Sequence, residues 1–213
     1  MNHASINRIF RVVFNEITGT HVAVPEFARR AGPGASGKAV MAALLGVVAA
    51  ASQAQIQPVN GSLTNVYNAP NGVPVVNINK ANDTGLSHNQ YNQYNVDARG
   101  VVLNNGNTSQ MARTSQLAGQ VMANTNLVKE ARVILNEVVA PNRTSLAGFT
   151  EVLGSRADVI VANPYGITCS GCGFINTDRV TLTTGVPTFD AARVLQGFAV
   201  TQGDLLIQGN GLN

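Results

Sequence analysis

Between Ala131 and Thr184 this chain has no stretch that a helix of useful length could occupy. Short β-rich pieces recur there: Val133-Ile134-Leu135, Thr150-Glu151-Val152-Leu153, Asp158-Val159-Ile160-Val161, Phe174-Ile175 and Val180-Thr181-Leu182-Thr183. Each is rich in Val, Ile, Thr or Leu and is bounded by Gly, Pro, Asn or Ser, the pattern of short strands. At the centre, Asn163-Pro164-Tyr165-Gly166-Ile167 runs directly into Cys169-Ser170-Gly171-Cys172-Gly173. Breakers at that density end a helix, so the run is expected to be a structured turn between strands.

The same pattern extends outward. Val73-Pro74-Val75-Val76-Asn77-Ile78 reads as the first clear strand, and residues 55–70 as an N-terminal cap. Tyr94-Asn95-Val96-Asp97 and Val101-Val102-Leu103-Asn104-Asn105 read as strands joined at Arg99-Gly100. Gly197 to Thr201 and Asp204 to Gln208 are further strands, with a tight-turn signal at Gln202-Gly203. Residues 80–92 are too polar for a core and are expected to be a loop, which would leave His88 exposed. Residues 107–128 carry the weakest pattern, and Gln116 to Met122 is expected to be a small excursion or a short helix.

Composition decides between architectures. Residues 55–213 hold 21 Asn, 10 Gln and 16 Gly and no Trp. A disordered or prion-like tract would share that bias, but Val, Ile and Leu arrive here in regular clusters. All-β folds with short strands are sandwiches or solenoids. A solenoid accounts better for the asparagines, which tolerate left-handed turns and form ladders when turns stack. No exact repeat is visible, but stacked coils that share one core are the favoured reading.

The N-terminus has a separate character. Arg8, Arg11, Arg29, Arg30 and Lys38 against Glu16 and Glu26 carry the whole net charge of +3, while the body is neutral. With no basic patch in the body, no nucleic-acid partner is expected. Ala39 to Ala51 is an apolar run of 13 residues, preceded by basic residues and followed by Ser52-Gln53-Ala54. That is a signal-peptide layout, with cleavage expected between Ala54 and Gln55. A membrane-spanning helix needs about 20 apolar residues. The chain thus divides into an extended signal, 1–54, and a body, 55–213, long enough for one domain.

Specific motifs add a resemblance. Asn2, Arg8-Ile9-Phe10-Arg11, Val13-Phe14-Asn15 and Glu26-Phe27-Ala28-Arg29 resemble the extended signal peptide of very large exported bacterial proteins. The bland alternative for that segment is a short amphipathic helix. In the body, Val101 to Asn105, Ile134 to Val138, Leu146-Ala147-Gly148, Ala157 to Pro164, Gly166 to Cys169, Gly171 to Thr177, Thr181 to Gly185 and Gln202-Gly203-Asp204 occur in order. Together they resemble the two-partner-secretion domain of filamentous-haemagglutinin-like exoproteins, in the cysteine-bearing version of haemolysins and contact-dependent growth-inhibition proteins.

The resemblance implies a right-handed parallel β-helix with a capped N-terminal end. It implies export by the Sec machinery, then recognition in the periplasm by the periplasmic domains of an Omp85-type outer-membrane two-partner-secretion transporter. The destination would be the medium or cell surface of a Gram-negative bacterium. Further regions of a larger adhesin or toxin would meet a host or neighbouring-cell surface. The family's Asn-Pro-Asn-Gly-Ile turn reads Asn163-Pro164-Tyr165-Gly166-Ile167 here, keeping the proline and the glycine but losing one asparagine. These five residues are the expected transporter-recognition motif. A second family motif is replaced by Pro141-Asn142-Arg143-Thr144-Ser145-Leu146, of which Asn142 and Leu146 are the expected equivalents.

Cys169 and Cys172, in an exported chain, are expected to form a local disulfide. The rival is a metal half-site, but zinc takes about four ligands and His88 is the sole histidine after residue 54. No metal and no cofactor is expected. A Ser-His-Asp arrangement would have to use His88, and no phosphate-binding glycine loop opens a helix. The chain is therefore read as a secretion-targeting domain and not an enzyme. The alternative is a secreted β-helix that binds or degrades polysaccharide, since that architecture hosts both.

Overall fold

A computed structural model describes residues 10–15, 20–25 and 56–212, which fall in two units, Met1–Ala49 and Ala50–Asn213. In the first, β1 (Phe10–Asn15) pairs antiparallel with β2 (Thr20–Pro25), Phe10 opposite Pro25. This segment is a strand pair and not the alternative of a short amphipathic helix. The apolar run 39–51 and the expected cleavage site at Ala54 and Gln55 lie outside the described residues.

Among its described residues, the regular elements of the second unit are all strands. It begins with β3 (Ile56–Pro58), β4 (Asn65–Asn68), β5 (Pro74–Asn77), β6 (Leu86–Tyr94) and β7 (Val101–Asn105). A hairpin, β8 (Ala112–Ser115) with β9 (Gly119–Met122), precedes β10 (Val133–Val138), β11 (Thr144–Leu146), β12 (Phe149–Gly154) and β13 (Asp158–Ala162). Then come β14 (Ile167–Cys169), β15 (Gly173–Ile175), β16 (Val180–Thr183), a second hairpin of β17 (Val186–Phe189) with β18 (Leu195–Ala199), and β19 (Leu205–Ile207).

Apart from the two hairpins, these strands form three sheets. Sheet 1 runs β15-β12-β7-β5-β4, sheet 2 runs β16-β13-β10-β6-β3, and sheet 3 runs β11-β14-β19. The chain visits them in the order 1, 2, 3 and starts again, each pass lying parallel on the last. This is a right-handed parallel β-helix. Val133 lies beside Asp158, Thr144 beside Ile167 and Phe149 beside Gly173, so a turn takes 25, 23 or 24 residues. The two hairpins interrupt that period. Thr150 lies on Val101, 49 residues away, and Leu205 on Ile167, 38 away, which hides the repeat from the sequence. At the N-terminal end β3 and β4 pair antiparallel with β6 and β5 and cap the first coil.

Alternation along each strand divides the burial between two faces. Val101, Leu103, Ile134, Val138, Val152, Val159, Val161 and Ile167 point into the shared core. Val75, Val102 and Leu153 point outward from sheet 1, where they are buried with Ala118 and Val121 of the first hairpin's turn and strand. Leu135, Ile160 and Ala162 point outward from sheet 2 and pack with Leu195 and Phe198 of the second hairpin. Each hairpin is thus a cover for an apolar outer face, which is why the strands read as unbroken apolar runs. The first cover is pinned by Glu151, whose carboxylate accepts from Ser115 Oγ at 2.6 Å and from the backbone of Gln116 and Leu117 at 2.9 and 3.0 Å.

The asparagines join coils. Asn104 Nδ2 donates to Asn77 Oδ1 at 2.8 Å and Asn77 Nδ2 to Asn65 Oδ1 at 3.1 Å, a ladder across β7, β5 and β4. Asn105, fully buried, bonds backbone groups of Ala131 twice and of Ser155 once. Asn124 bridges the carbonyls of Ile78 and Asn104. The bonds of Asn105 and Asn124 satisfy backbone groups at corners where the sheet ladder is interrupted.

Two sequence expectations are corrected. Residues 80–92 are not simply a loop: residues 86–94 form β6, between β10 and β3. Ser87 and Asn89 are buried in it because they are paired: Ser87 Oγ donates to the Asn79 carbonyl at 2.7 Å, and Asn89 Oδ1 accepts from Thr64 Oγ1 at 2.9 Å and from the Asn79 amide at 2.8 Å. Tyr91 and Tyr94 are wholly buried, with ring centroids 4.9 Å apart. His88 accordingly sits on a strand, 2.7 Å from Glu137 Oε2 through Nε2. Gln116 to Met122, expected as a small excursion or a short helix, is the excursion: the turn and second strand of a hairpin. The expected strand at 94–97 reduces to the end of β6 and one bridge, Val96 to Leu146.

Replacing Asn105 by Ala should lower the unfolding free energy by roughly 2–3 kcal/mol, because it strands buried backbone groups. The exposed Asn60→Ala should change it by less than about 0.5 kcal/mol; equal effects in urea unfolding would refute the stapling role. Glu137 carries a pH dependence. Burial raises its pKa, but hydrogen bonds from His88 and Gln90 and the charge of His88 outweigh that and leave it below the ordinary carboxylate value. A depressed pKa stabilises the fold above the unfolded carboxylate value, and that stability is lost as pH falls through the folded one. Glu137→Gln should therefore flatten the acid limb of the stability–pH curve, read by urea unfolding at stepped pH.

Candidate functional site

The five residues Asn163 to Ile167 form the corner where the third coil leaves sheet 2 and enters sheet 3. Asn163 precedes a proline, which favours extended geometry, and Pro164 has its φ preset. The Gly166 amide donates to the Asn163 carbonyl at 3.0 Å, closing a four-residue turn. The Asn163 side chain repeats that bond from within, its Oδ1 accepting from the Tyr165 amide at 2.9 Å. Gly166 has φ +105°, which favours glycine, and a Cβ there would also displace the Arg143 guanidinium, one nitrogen of which would stand 2.3 Å away.

The corner is built on the coil below and holds the coil above. Asn163 Nδ2 donates to the Asn142 carbonyl and to Thr144 Oγ1, both at 2.8 Å. Asn142 Nδ2 in turn donates to the Asn92 carbonyl at 2.9 Å. The two motifs read separately in the sequence are therefore consecutive steps of one stack, Asn92 to Asn142 to Asn163. Upward, the Asn163 amide donates to the Thr183 carbonyl at 2.9 Å and the Ile167 amide to the Asp204 carbonyl at 3.0 Å.

Arg143 clamps the same corner from the side, and its role was missed in the sequence. Its guanidinium donates to Asp204 Oδ1 at 2.6 Å, Thr168 Oγ1 at 2.8 Å and the Ile167 carbonyl at 3.1 Å. The hydrogen bond from Arg143, with its charge, holds the Asp204 carboxyl below its usual range against the opposing effect of desolvation. In the sequence Asp204 stood out only as the end of the Gln202-Gly203-Asp204 motif and the start of a strand.

Burial separates support from surface. Asn163, Pro164, Gly166 and Ile167 are buried, and Leu146, in register with Cys169 on the inner face, is core. Tyr165 is 38% exposed and Asn142 is exposed. The corner presents one aromatic side chain on a hydrogen-bonded base. Behind it, Cys169 and Cys172 are joined by a disulfide with Cα atoms 5.4 Å apart, both sulfurs inside the core. Among the described residues no group of three or more His, Cys, Asp or Glu side chains could hold a metal ion.

Comparison with known proteins places these features. The TPS secretion domain family matches residues 54–213, and the family described as the extended signal peptide of type V secretion systems matches residues 7–55. The chain is 53% identical over 180 residues to the 16S rRNA endonuclease CdiA of Enterobacter cloacae, covering 81% of this chain and 5% of that protein. It is 47% identical over 169 residues to the hemolysin of Serratia marcescens, covering 78% and 10% respectively. The chain thus matches at most about a tenth of the length of these relatives. The solved filamentous hemagglutinin secretion domain superposes with a TM-score of 0.68 at 40% identity, covering 74% of this chain and 51% of that one.

Asn163→Ala removes three hydrogen bonds at a buried site and should cost roughly 2–3 kcal/mol of stability, whereas Asn142→Ala should cost about 1. Tyr165→Ala, at the surface, should change stability by less than about 0.5 kcal/mol. Urea unfolding of the three variants checks the order, and an Asn163→Ala variant as stable as the parent would refute the stacked corner.

Proposed function

This chain belongs to the TPS secretion domain family, preceded by an extended signal peptide of type V secretion systems, and on that premise we propose that its body is the part an outer-membrane two-partner-secretion transporter recognises. The chain is exported through the periplasm to the surface of a Gram-negative bacterium. The signal, 1–54, engages the Sec machinery and is cut between Ala54 and Gln55. The body, 55–213, then meets the periplasmic domains of the transporter. It does no chemistry of its own, and the activities named for its relatives belong to those far longer proteins.

The corner at Asn163 to Ile167 is the contact. The observation that carries this reading is that Tyr165 is the exposed member of a turn whose other four residues are buried. An aromatic side chain on a rigid base is the form binding anchors take, since little entropy is lost on ordering it. Within the five-residue motif expected from the sequence, Asn163 serves recognition from beneath the surface, as the group that holds Tyr165 in place.

Co-expression with the cognate transporter tests this. Tyr165→Ala should keep the parent's stability and lose at least about tenfold in transporter binding, the effect of truncating one anchor, with secreted yield falling accordingly. Asn163→Ala should lose both stability and yield. Normal binding and secretion of Tyr165→Ala would sink the assignment, and N-terminal sequencing of secreted protein that did not begin at Gln55 would overturn the cleavage site.

A further inference from the structure

Away from that corner, a cavity of ≈ 670 Å³ lies between the outer face of sheet 2 and the β17–β18 hairpin. That volume falls in the range of small-ligand sites. Its floor is a hydrogen-bonded group: Glu137 Oε2 lies 2.7 Å from His88 Nε2 and accepts from Gln90 Nε2 at 2.9 Å. Those bonds use one carboxylate oxygen and leave Oε1 as an acceptor with no partner among the described residues. Phe189 of the hairpin forms a wall, its ring centroid 5.2 Å from that of His88 and its side chain partly exposed.

Two cations complete the lining. Lys80 and Arg193 both face this cavity, and neither is in an ion pair among the described residues. Arg193 has φ +61°, in the left-handed region, where few residues other than glycine settle. Its backbone is held there by two bonds, amide to the Asp190 carbonyl at 3.0 Å and carbonyl from Asn82 Nδ2 at 3.2 Å. The backbone is fully engaged while the guanidinium is not.

We propose that this cavity binds an acidic saccharide, a sugar ring bearing a carboxylate. The apolar face of such a ring packs on Phe189, and its hydroxyls meet the acceptor of Glu137 and the amide of Gln90. The carboxylate is matched by Arg193 and Lys80 at the same opening. An extended peptide fits less well. It would add to a free strand edge, and the floor strands β6 and β10 are paired on both sides. The site lies on different residues from the Tyr165 corner, so it stands or falls independently of the transporter reading.

The test is a titration of the ¹⁵N-labelled 213-residue chain, followed by NMR shift changes. The probes are trigalacturonate, neutral maltotriose, sodium acetate and triglutamate. Trigalacturonate should shift the amides of residues 88–90, 137 and 189–193. Maltotriose should bind about tenfold more weakly, the loss of one charge-assisted contact, and acetate more weakly still. Arg193→Gly suits the positive φ and preserves the fold, and should cost about tenfold for trigalacturonate with no effect on maltotriose. Phe189→Ala should weaken both sugars. The proposal is overturned if trigalacturonate leaves those amides unmoved, if Arg193→Gly binds it unchanged, or if triglutamate binds more tightly.

Discussion

A coil of about two dozen residues has no interior of its own, and everything in this domain follows from that constraint. Val101, Leu103, Val152 and Val159 are buried only because the next coil lies parallel on theirs. Strands stacked at about 4.8 Å align their side chains in register, so each coil completes the core of the one before it. The antiparallel strands β3 and β4 end this dependence at the first coil by covering its exposed edge.

Stacking also makes corners expensive, because backbone groups that turn away from a sheet lose their ladder partners while remaining buried. Asparagine resolves this repeatedly. Asn105, Asn124 and Asn163 each donate to a backbone carbonyl of another segment and accept from a backbone amide, which for Asn105 is Ala131 and for the other two lies in their own turn. The candidate recognition corner is one instance of that general device. Its difference lies in Arg143 and Asp204, which tie three coils at one edge, and in Tyr165, which is left outside. Structural support and surface display are thus made by adjacent residues of a single turn.

The outer faces show how far local pattern can be read. The strands at 101–105, 133–138, 149–154 and 158–162 were legible because branched apolar residues bounded by breakers have few other solutions. Their lack of alternation carried a further message, burial on both faces, but which segments lay across them was not legible. The hairpins at 112–122 and 186–199 mix polar and apolar residues around a glycine, and their covering role depends on a few side chains such as Val121, Leu195 and Phe198. Strand β6 was misread for the related reason that a buried Ser87 or Asn89 looks like a surface residue until Asn79 and Thr64 are found beside it.

By itself, the sequence determined that residues 131–184 are short strands and turns, that the N-terminus is an export signal of extended type, and that Asn163 to Ile167 is a structured corner. These are local properties, set by branching at Cβ, by proline and glycine dihedrals and by runs of charge and apolarity. Tertiary structure alone decided that Asn142 and Asn163 are neighbours in one stack, that Arg143 reaches Asp204, that His88 faces Glu137 beneath Phe189, and that Tyr165 rather than Asn163 meets solvent. The reason is the winding. Residues 21 apart in the chain meet at hydrogen-bonding distance only once the coil length is set, and two inserted hairpins change that length where no local signal records it.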